Sequence, residues 1–442
     1  MNSKEICTKL MNYGLEAAGE GAKAEVVLSE GTKKSVGVLG GKPQSYDSAK
    51  SRGISLTVFI GTKQASASSE NLTDAALKTL AEETAEMARF TPENRDAFLA
   101  NPGQFITDAD ARTKALKLAD ETAKELTVTE LQEMAYKLEN AALSVKGATR
   151  CSDVSVKTSA SRVTIVTSEG FQASVPSTTF IVSLNVLAGK DAEQNSEGDA
   201  GVTRFFADLP DLDKLGRETA EKAVKKVGAK PIKSGRMPIV FDKDVSGEFI
   251  DMFASAISGM AVDKGTTFLK DAMGEQVFPE GVTIVDDPTI PKALGSDPCD
   301  SDGIASDPLT LVENGRLKTW LLSLASAKRL GLEPNGRADG TTNLYMKAGT
   351  LSRDDLIGDI ERGLLVTGMI GHGLNLTTGD FSRGAEGFLI ENGKITQPVS
   401  EVTIASNLKD IFLNMTPADD LEMEMATNAP SVLIKEMTVA GT

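Results

Sequence analysis

The chain carries one histidine in 442 residues, His372, set in the glycine-dense segment Gly371-His372-Gly373-Leu374-Asn375-Leu376-Thr377-Thr378-Gly379-Asp380. Histidine is the usual base, acid or metal ligand of hydrolytic chemistry near neutral pH. A zinc site with two histidines cannot be built from this chain alone. A serine or cysteine triad must use His372 or do without imidazole. Ser382 follows in Gly379-Asp380-Phe381-Ser382-Arg383-Gly384, near enough in sequence to fold back into a dyad with His372, with Asp380 beside it. The competing reading is a glycine-rich turn whose polar side chains bond local backbone.

Other motifs fail on spacing. The Gly-x-Ser-x-Gly elbow and the Gly-x-x-x-x-Gly-Lys-Ser/Thr loop are absent, and Leu376 takes the third glycine position of the Gly371-His372-Gly373 start. Aligned on Gly303, the acidic loop Asp297-Pro298-Cys299-Asp300-Ser301-Asp302-Gly303 puts Pro298 and Leu309 where a calcium loop needs acids. Val285-Asp286-Asp287-Pro288 reads as a strand ending in a turn. Cys7, Cys151 and Cys299 form no C-x-x-C and read as sparse, reduced, mostly buried thiols.

Composition narrows the classes further. With 47 basic against 63 acidic residues the net charge is -16, which argues against nucleic-acid binding. The stretch 363–379 is uncharged but broken by five glycines, so no membrane span is expected. Residues 1–15 lack the apolar core of a signal peptide, and a cytoplasmic location is expected.

The elements that must position these residues point to an α+β fold. An N-terminal α/β-type layer domain is expected at 1–108, a middle antiparallel sheet with flanking helices at 109–230, and a β-rich domain at 231–442. Apolar spacing predicts a helix in residues 1–20, strands at 24–29, 32–39 and 51–60, and a hairpin through Gly61-Thr62. Asn71 or Thr73 caps a helix to residue 88, and 91–110 is a linker. Thr129 is the expected N-cap of a helix to residue 143. Strands follow at 151–159, 162–168, 171–175, 178–188 and 201–207, then a helix at 212–227. The last unit starts with a strand at 237–241 and a helix at 245–260. The turns Glu313-Asn314-Gly315 and Glu391-Asn392-Gly393 predict two hairpins.

From residue 215 onward several strings look like one known family. They include Leu215-Gly216-Arg217-Glu218, Ile257-Ser258-Gly259-Met260-Ala261-Val262, Asp286-Asp287-Pro288 and Asp300-Ser301-Asp302-Gly303. Further on come Thr377-Thr378-Gly379-Asp380-Phe381-Ser382-Arg383-Gly384-Ala385, Gly387-Phe388-Leu389-Ile390-Glu391-Asn392-Gly393 and Thr403-Ile404-Ala405-Ser406-Asn407-Leu408. They resemble the TldD/PmbA family, once described as modulators of DNA gyrase. Its TldD branch carries His-Glu-x-x-x-His on a helix and a later cysteine as zinc ligands. Its PmbA branch, also called TldE, lacks them and pairs with TldD. The corresponding helix here, 245–258, holds no histidine, and no cysteine follows Cys299.

The resemblance therefore implies a PmbA/TldE-like, non-catalytic subunit of a cytosolic metallopeptidase complex, with no metal or other cofactor of its own. A TldD-like metallopeptidase subunit is its implied partner, an unfolded peptide its ligand, and a homodimer without that partner stays open. Glu248 and Asp251 read as a polar helix face. The expected peptide- or partner-binding residues are Gly371, His372, Asn375, Thr378, Gly379, Asp380 and Ser382, since a purely structural turn would need its glycines but not all its polar side chains. Strand edges in the β-rich domain suit an extended peptide. Two alternatives remain: a self-sufficient hydrolase using His372, Ser382 and Asp380, and a regulatory binding protein acting on DNA gyrase.

Overall fold

The computed structural model describes residues 2–338 and 340–442. Helix α1 (Ser3–Ala18) starts on a reciprocal capping box between Asn2 and Glu5. Strands β1 (Lys23–Leu39), β2 (Lys42–Ile60) and β3 (Lys63–Ser69) precede helix α2 (Asp74–Phe90). Helices α3 (Ala109–Leu116), α4 (Thr122–Glu125) and α5 (Val128–Leu143) lead to β4 (Ala148–Thr167), β5 (Gln172–Ala188), β6 (Asn195–Thr203) and α6 (Leu212–Lys225). The six strands form one sheet in the order β3-β2-β1-β4-β5-β6, so β1 pairs with β2 from its own end of the chain and with β4 from beyond residue 108.

These strands are longer than the sequence pattern indicates. The expected pairs 24–29 and 32–39, 151–159 and 162–168, and 171–175 and 178–188 each fuse into one strand. The apparent break at Gly31 is bridged because both neighbours pair across it, Ser51 on one side and Ser161 on the other. Pro176 is tolerated because β6 pairs with β5 only from Phe180 onward, so the missing N–H costs no ladder bond on that side. The helix expected from Thr129 is capped instead by Thr127, whose side chain takes the Glu130 N–H while Glu130 returns the bond.

Side-chain alternation places both helix pairs on one face of this sheet. The even positions Val26 and Leu28 of β1 lie under α1 and α2, and Val36 lies in the cluster under α5 and α6. The opposite face presents Phe59, Ile165 and Ala173, with Phe171 at the β4–β5 turn. There it meets residues 97–109 and a loop containing Cys299 and Ile304.

The C-terminal half begins with β7 (Gly235–Phe241) and α7 (Lys243–Ala256). The helix expected to reach residue 260 stops at Ala256. Ser258 then bridges Leu321, and the Gly259 N–H donates to the Leu321 carbonyl at 2.7 Å, which turns the chain away. Strands β8 (Ile284–Asp286), β9 (Leu309–Glu313), β10 (Arg316–Leu317) and β11 (Leu344–Met346) form a small sheet with a later strand. Both Asn-Gly turns sit in the left-handed region, Asn314 at φ 49° and Asn392 at φ 51°, and close hairpins as expected.

Strand β16 (Thr427–Asn428) completes the small sheet, and the main sheet of this half joins β7 to β12 (Arg362–Ile370), β13 (Asp380–Glu391), β14 (Lys394–Asn407), β15 (Met415–Pro417) and β17 (Val432–Ala440). Its order is β14-β13-β12-β7-β17-β15, and β14 also pairs with β17 from Thr403↔Ala440 to Ala405↔Thr438. Five strands thus close into a barrel. Closure satisfies edge groups where residues 403–405 meet 438–440. Helix α7 packs its buried stripe on this wall. The Phe249 ring sits 4.7 Å from Phe241 and 5.5 Å from Phe381, and Phe253 meets Phe278 and Phe412.

Helix α6 links the two halves. Lys222 reaches Asp199 of β6 at 3.1 Å and Asp244 of α7 at 3.0 Å. One turn on, Lys226 pairs with Glu197 of β6 and with Glu386 of β13 at 2.9 Å. Its side chain is 3% exposed.

Candidate functional site

Segment 371–379 connects β12 to β13 and is tied to residues 266–268, where the Phe268 N–H donates to the Leu376 carbonyl at 3.0 Å and Thr377 Oγ1 donates to the Thr266 carbonyl at 3.4 Å. Its shape needs glycine at two points. Gly379 is buried at φ 81°, and a Cβ on Gly373 would fall 1.6 Å from the Ser382 carbonyl oxygen. That approach is a hydrogen bond, since the Ser382 N–H donates to the Gly373 carbonyl at 2.8 Å. Leu374 and Leu376 pack against the main C-terminal core and anchor the segment from below.

The polar side chains divide into two groups. Asn375 Oδ1 accepts from the Thr377 and Thr378 N–H groups at 3.0 and 3.3 Å. Thr378 Oγ1 donates to Asp380 Oδ2 at 2.6 Å, and Asn407 Nδ2 donates to Asp380 Oδ1 at 3.3 Å. Three of the polar side chains, Asn375, Thr378 and Asp380, therefore hold the turn. His372 and Ser382 differ: both are exposed, and neither side chain makes a hydrogen bond among the described residues. Among the described residues no hydrogen bond joins the imidazole to Ser382 or Asp380, so the hydrolase dyad is not assembled.

Arg383, on β13 just after this segment, reaches the polar face of α7. Glu248 is ion-paired with Arg383 of β13. Asp251 accepts from Thr427 Oγ1 at 2.6 Å, and burial holds its carboxyl above the ordinary range against that bond. Sequence reasoning missed Arg383. It shares the inward parity of Phe381 and Ala385, so a charge at that position signals a buried counter-charge, but its partner lies 135 residues away. Among the described residues no group of three or more histidine, cysteine, aspartate or glutamate side chains is arranged to hold a metal ion. Among the described residues no helix is long and apolar enough to cross a membrane. The three thiols are buried and unpaired.

The other acidic motifs are structural. Asp286 is fully buried, ion-paired with Arg337, and accepts from Thr342 N and Oγ1 at 2.7 and 2.9 Å. Asp287 accepts from Thr289 N and Oγ1 in a local turn, as the Asp-Pro pattern predicts.

Comparison with known proteins covers most of the chain. Residues 24–88, 121–227 and 234–441 match domain 1, the central domain and the C-terminal domain of the PmbA/TldA metallopeptidase models. The metalloprotease PmbA of Escherichia coli O157:H7 is 30% identical over 441 residues, covering 99% of this chain and 97% of that protein. A crystal structure from Bacteroides thetaiotaomicron, described as a proposed modulator of DNA gyrase, superposes with TM-score 0.91 at 27% identity over 99% of both chains. TldE of Thermococcus kodakarensis shares the fold at 21% identity, with TM-score 0.84 over 99% of this chain and all of that one.

Proposed function

The chain belongs to the PmbA/TldD metallopeptidase family, and on that footing we propose that it is the PmbA/TldE-type, non-catalytic subunit of a cytoplasmic TldD/TldE-type complex. Its role is to bind unfolded peptide and complete the assembly, while a TldD-like subunit supplies the metal chemistry. The observation that carries this reading is the donor set on α7. Zinc in a catalytic site takes imidazole, carboxylate or thiolate ligands and keeps one position open for water. Here the helix offers no imidazole or thiolate, only Asp244, ion-paired with Lys222, Glu248, neutralised by Arg383, and Asp251, hydrogen-bonded to Thr427. The residues present do not fit the ion. The segment 371–382 supplies the contact surface in this reading, through His372, Ser382 and the exposed backbone between Gly371 and Gly373.

Elemental analysis after dialysis, paired with a cleavage assay on unfolded peptide, tests the proposal. The lone chain is expected to hold well under one zinc per molecule and to cleave nothing until a TldD-type partner is added. Chelator-insensitive cleavage by the lone chain, abolished by Ser382→Ala, would return the hydrolase reading. His372→Ala should lower partner-dependent cleavage while leaving the thermal midpoint unchanged, because the imidazole supports no fold contact. Asn375→Ala or Asp380→Ala cannot make that distinction, since both loosen the turn itself by roughly 1 kcal/mol per lost bond.

A further inference from the structure

The outer face of the first sheet meets the C-terminal half along a second seam, well apart in sequence from the α6 lysines. The loop at residues 297–304 lies on Phe171 and Ala173, where Cys299 is 5% exposed. Gly303, at φ 80°, brings its backbone so close that a Cβ would stand 3.0 Å from the Phe171 ring. The 91–108 linker is tied in as well. The Ile106 N–H donates to the Gly303 carbonyl at 2.9 Å, and Phe105 forms an antiparallel bridge with Ile304.

This seam gathers the carboxyl groups of Glu25, Asp300 and Asp302. Asp300 Oδ1 accepts from the Asp302 and Ile304 N–H groups at 3.0 and 2.9 Å and the Ala338 backbone also acts on the carboxyl, but among the described residues the buried Asp300 Oδ2 has no hydrogen-bond partner of its own. Asp302 Oδ2 accepts from the Leu324 N–H at 3.0 Å. Glu25 on β1 feels the Asp302 charge from the sheet side. Among the described residues the surrounding cations are engaged elsewhere. Lys23 pairs with Glu169, Arg112 with Asp307 and Asp108, and Arg329 with Asp96 and Asp263, while Lys328 lies over the Phe98 ring. Arg204 donates to the Ala293 and Leu294 carbonyls beside Asp297. Neither Glu25 nor Asp300 has an ion-pair partner among the described residues.

We infer that this seam is a pH-operated clasp, closed while Glu25 and Asp300 hold protons and loosened as they ionise against the Asp302 carboxylate. A protonated Asp300 leaves a neutral oxygen in the pocket, whereas its ionised form leaves a buried, unsatisfied charge. Burial first, and then the Asp302 charge, push both carboxyls up to about 7, which sets the change near neutrality. Loosening releases the 297–304 loop and the linker together, and bares Cys299.

Thiol alkylation read residue by residue in the full-length protein tests this. Cys151 lies in a separate core under α5 and serves as internal reference, cancelling the intrinsic pH dependence of thiolate reactivity. The Cys299-to-Cys151 labelling ratio with N-ethylmaleimide should rise roughly tenfold between pH 6 and pH 8.5. It should change less than about twofold in Glu25→Gln/Asp300→Asn, which keeps the Asp300 acceptor. A flat ratio in the unsubstituted protein, or an equal rise in the double variant, overturns the clasp. Thermal melts at pH 6 check that the variant folds. If it does not, Asp302→Asn, which retains the acceptor for Leu324 and removes the charge that raises both carboxyls, must move the midpoint of the rise to lower pH, and no movement overturns the proposal equally.

Discussion

At the α6 junction four carboxylates, Glu197, Asp199, Asp244 and Glu386, meet two lysines. At the seam over Phe171, Glu25 and Asp300 face Asp302 with no cation of their own among the described residues. Both junctions tie the first sheet to the C-terminal half, yet they handle charge in opposite ways. Buried lysine with two glutamates is a fixed attachment, because removing either sign strands the other in low dielectric. Carboxyls against carboxyls are stable only while a proton is shared out among them. Rigid joining and conditional joining can therefore coexist in one chain, set by where lysine is placed.

The strongest test of the fixed junction is Lys226→Met. The side chain is 3% exposed, and its loss leaves Glu197 and Glu386, 12% and 23% exposed, facing each other. Burial already raises the Glu197 carboxyl despite the lysine. Breaking such a pair from one side costs about 3–5 kcal/mol, and chemical denaturation should show this as the largest loss of the set. A loss near 1 kcal/mol, within the range of an exposed pair, would erase the distinction between the two junctions.

The conditional junction should be visible in stability against pH. Glu25 and Asp300 have ordinary values of 4.5 and 3.8 and are raised to about 7 in the fold. A raised carboxyl favours the folded state while protonated, so its contribution is complete below the ordinary value and is lost as pH rises through about 7. Stability should thus fall between pH 5 and 8, and Glu25→Gln should flatten the fall. Glu25 is only partly buried, so the effect per group is roughly 1 kcal/mol after allowing for solvent screening. A Glu25→Gln profile that parallels the unsubstituted one would show that the seam carries no linked proton.

Neither junction is legible in the sequence, while much of what surrounds them is. Elements set by local rules were readable: the hairpins at Asn314 and Asn392, the helices on either side of β4–β6, and the polar outer face of α7. The Thr127 cap was readable too, since Glu130 three residues later is the box partner, but Thr129 was the expectation. What failed depended on distant neighbours. Gly31 and Pro176 look like strand breaks until the register shows what pairs beside them. Barrel closure by β14 and β17, and the Arg383–Glu248 pair, join residues more than thirty and more than a hundred positions apart. In segment 371–382 the glycines were read correctly as a tight turn. The side chains of Asn375 and Thr378 are taken up by local partners, the Thr377 and Thr378 N–H groups and Asp380, and only the Asn407 bond to Asp380 comes from a position remote in sequence.

The smallest expected effect separates exposure from mere pairing. Lys222 makes two ion pairs, as Lys226 does, and Asp199 and Asp244 together hold its ammonium above its ordinary range despite burial working the other way. Yet its side chain is 44% exposed, and those of Asp199 and Asp244 are 29% and 49% exposed. Water can solvate all three when the pair is broken, so Lys222→Met should cost less than about 1 kcal/mol. The loss should shrink further at high salt, which screens exposed pairs and leaves buried ones largely untouched. The Lys226→Met loss should therefore persist in 1 M salt (a Debye length of about 3 Å) while the Lys222→Met loss fades. If both losses were equal, or both faded alike, the number of ion pairs rather than their burial would govern the α6 junction, and the contrast with the acidic seam would need another cause.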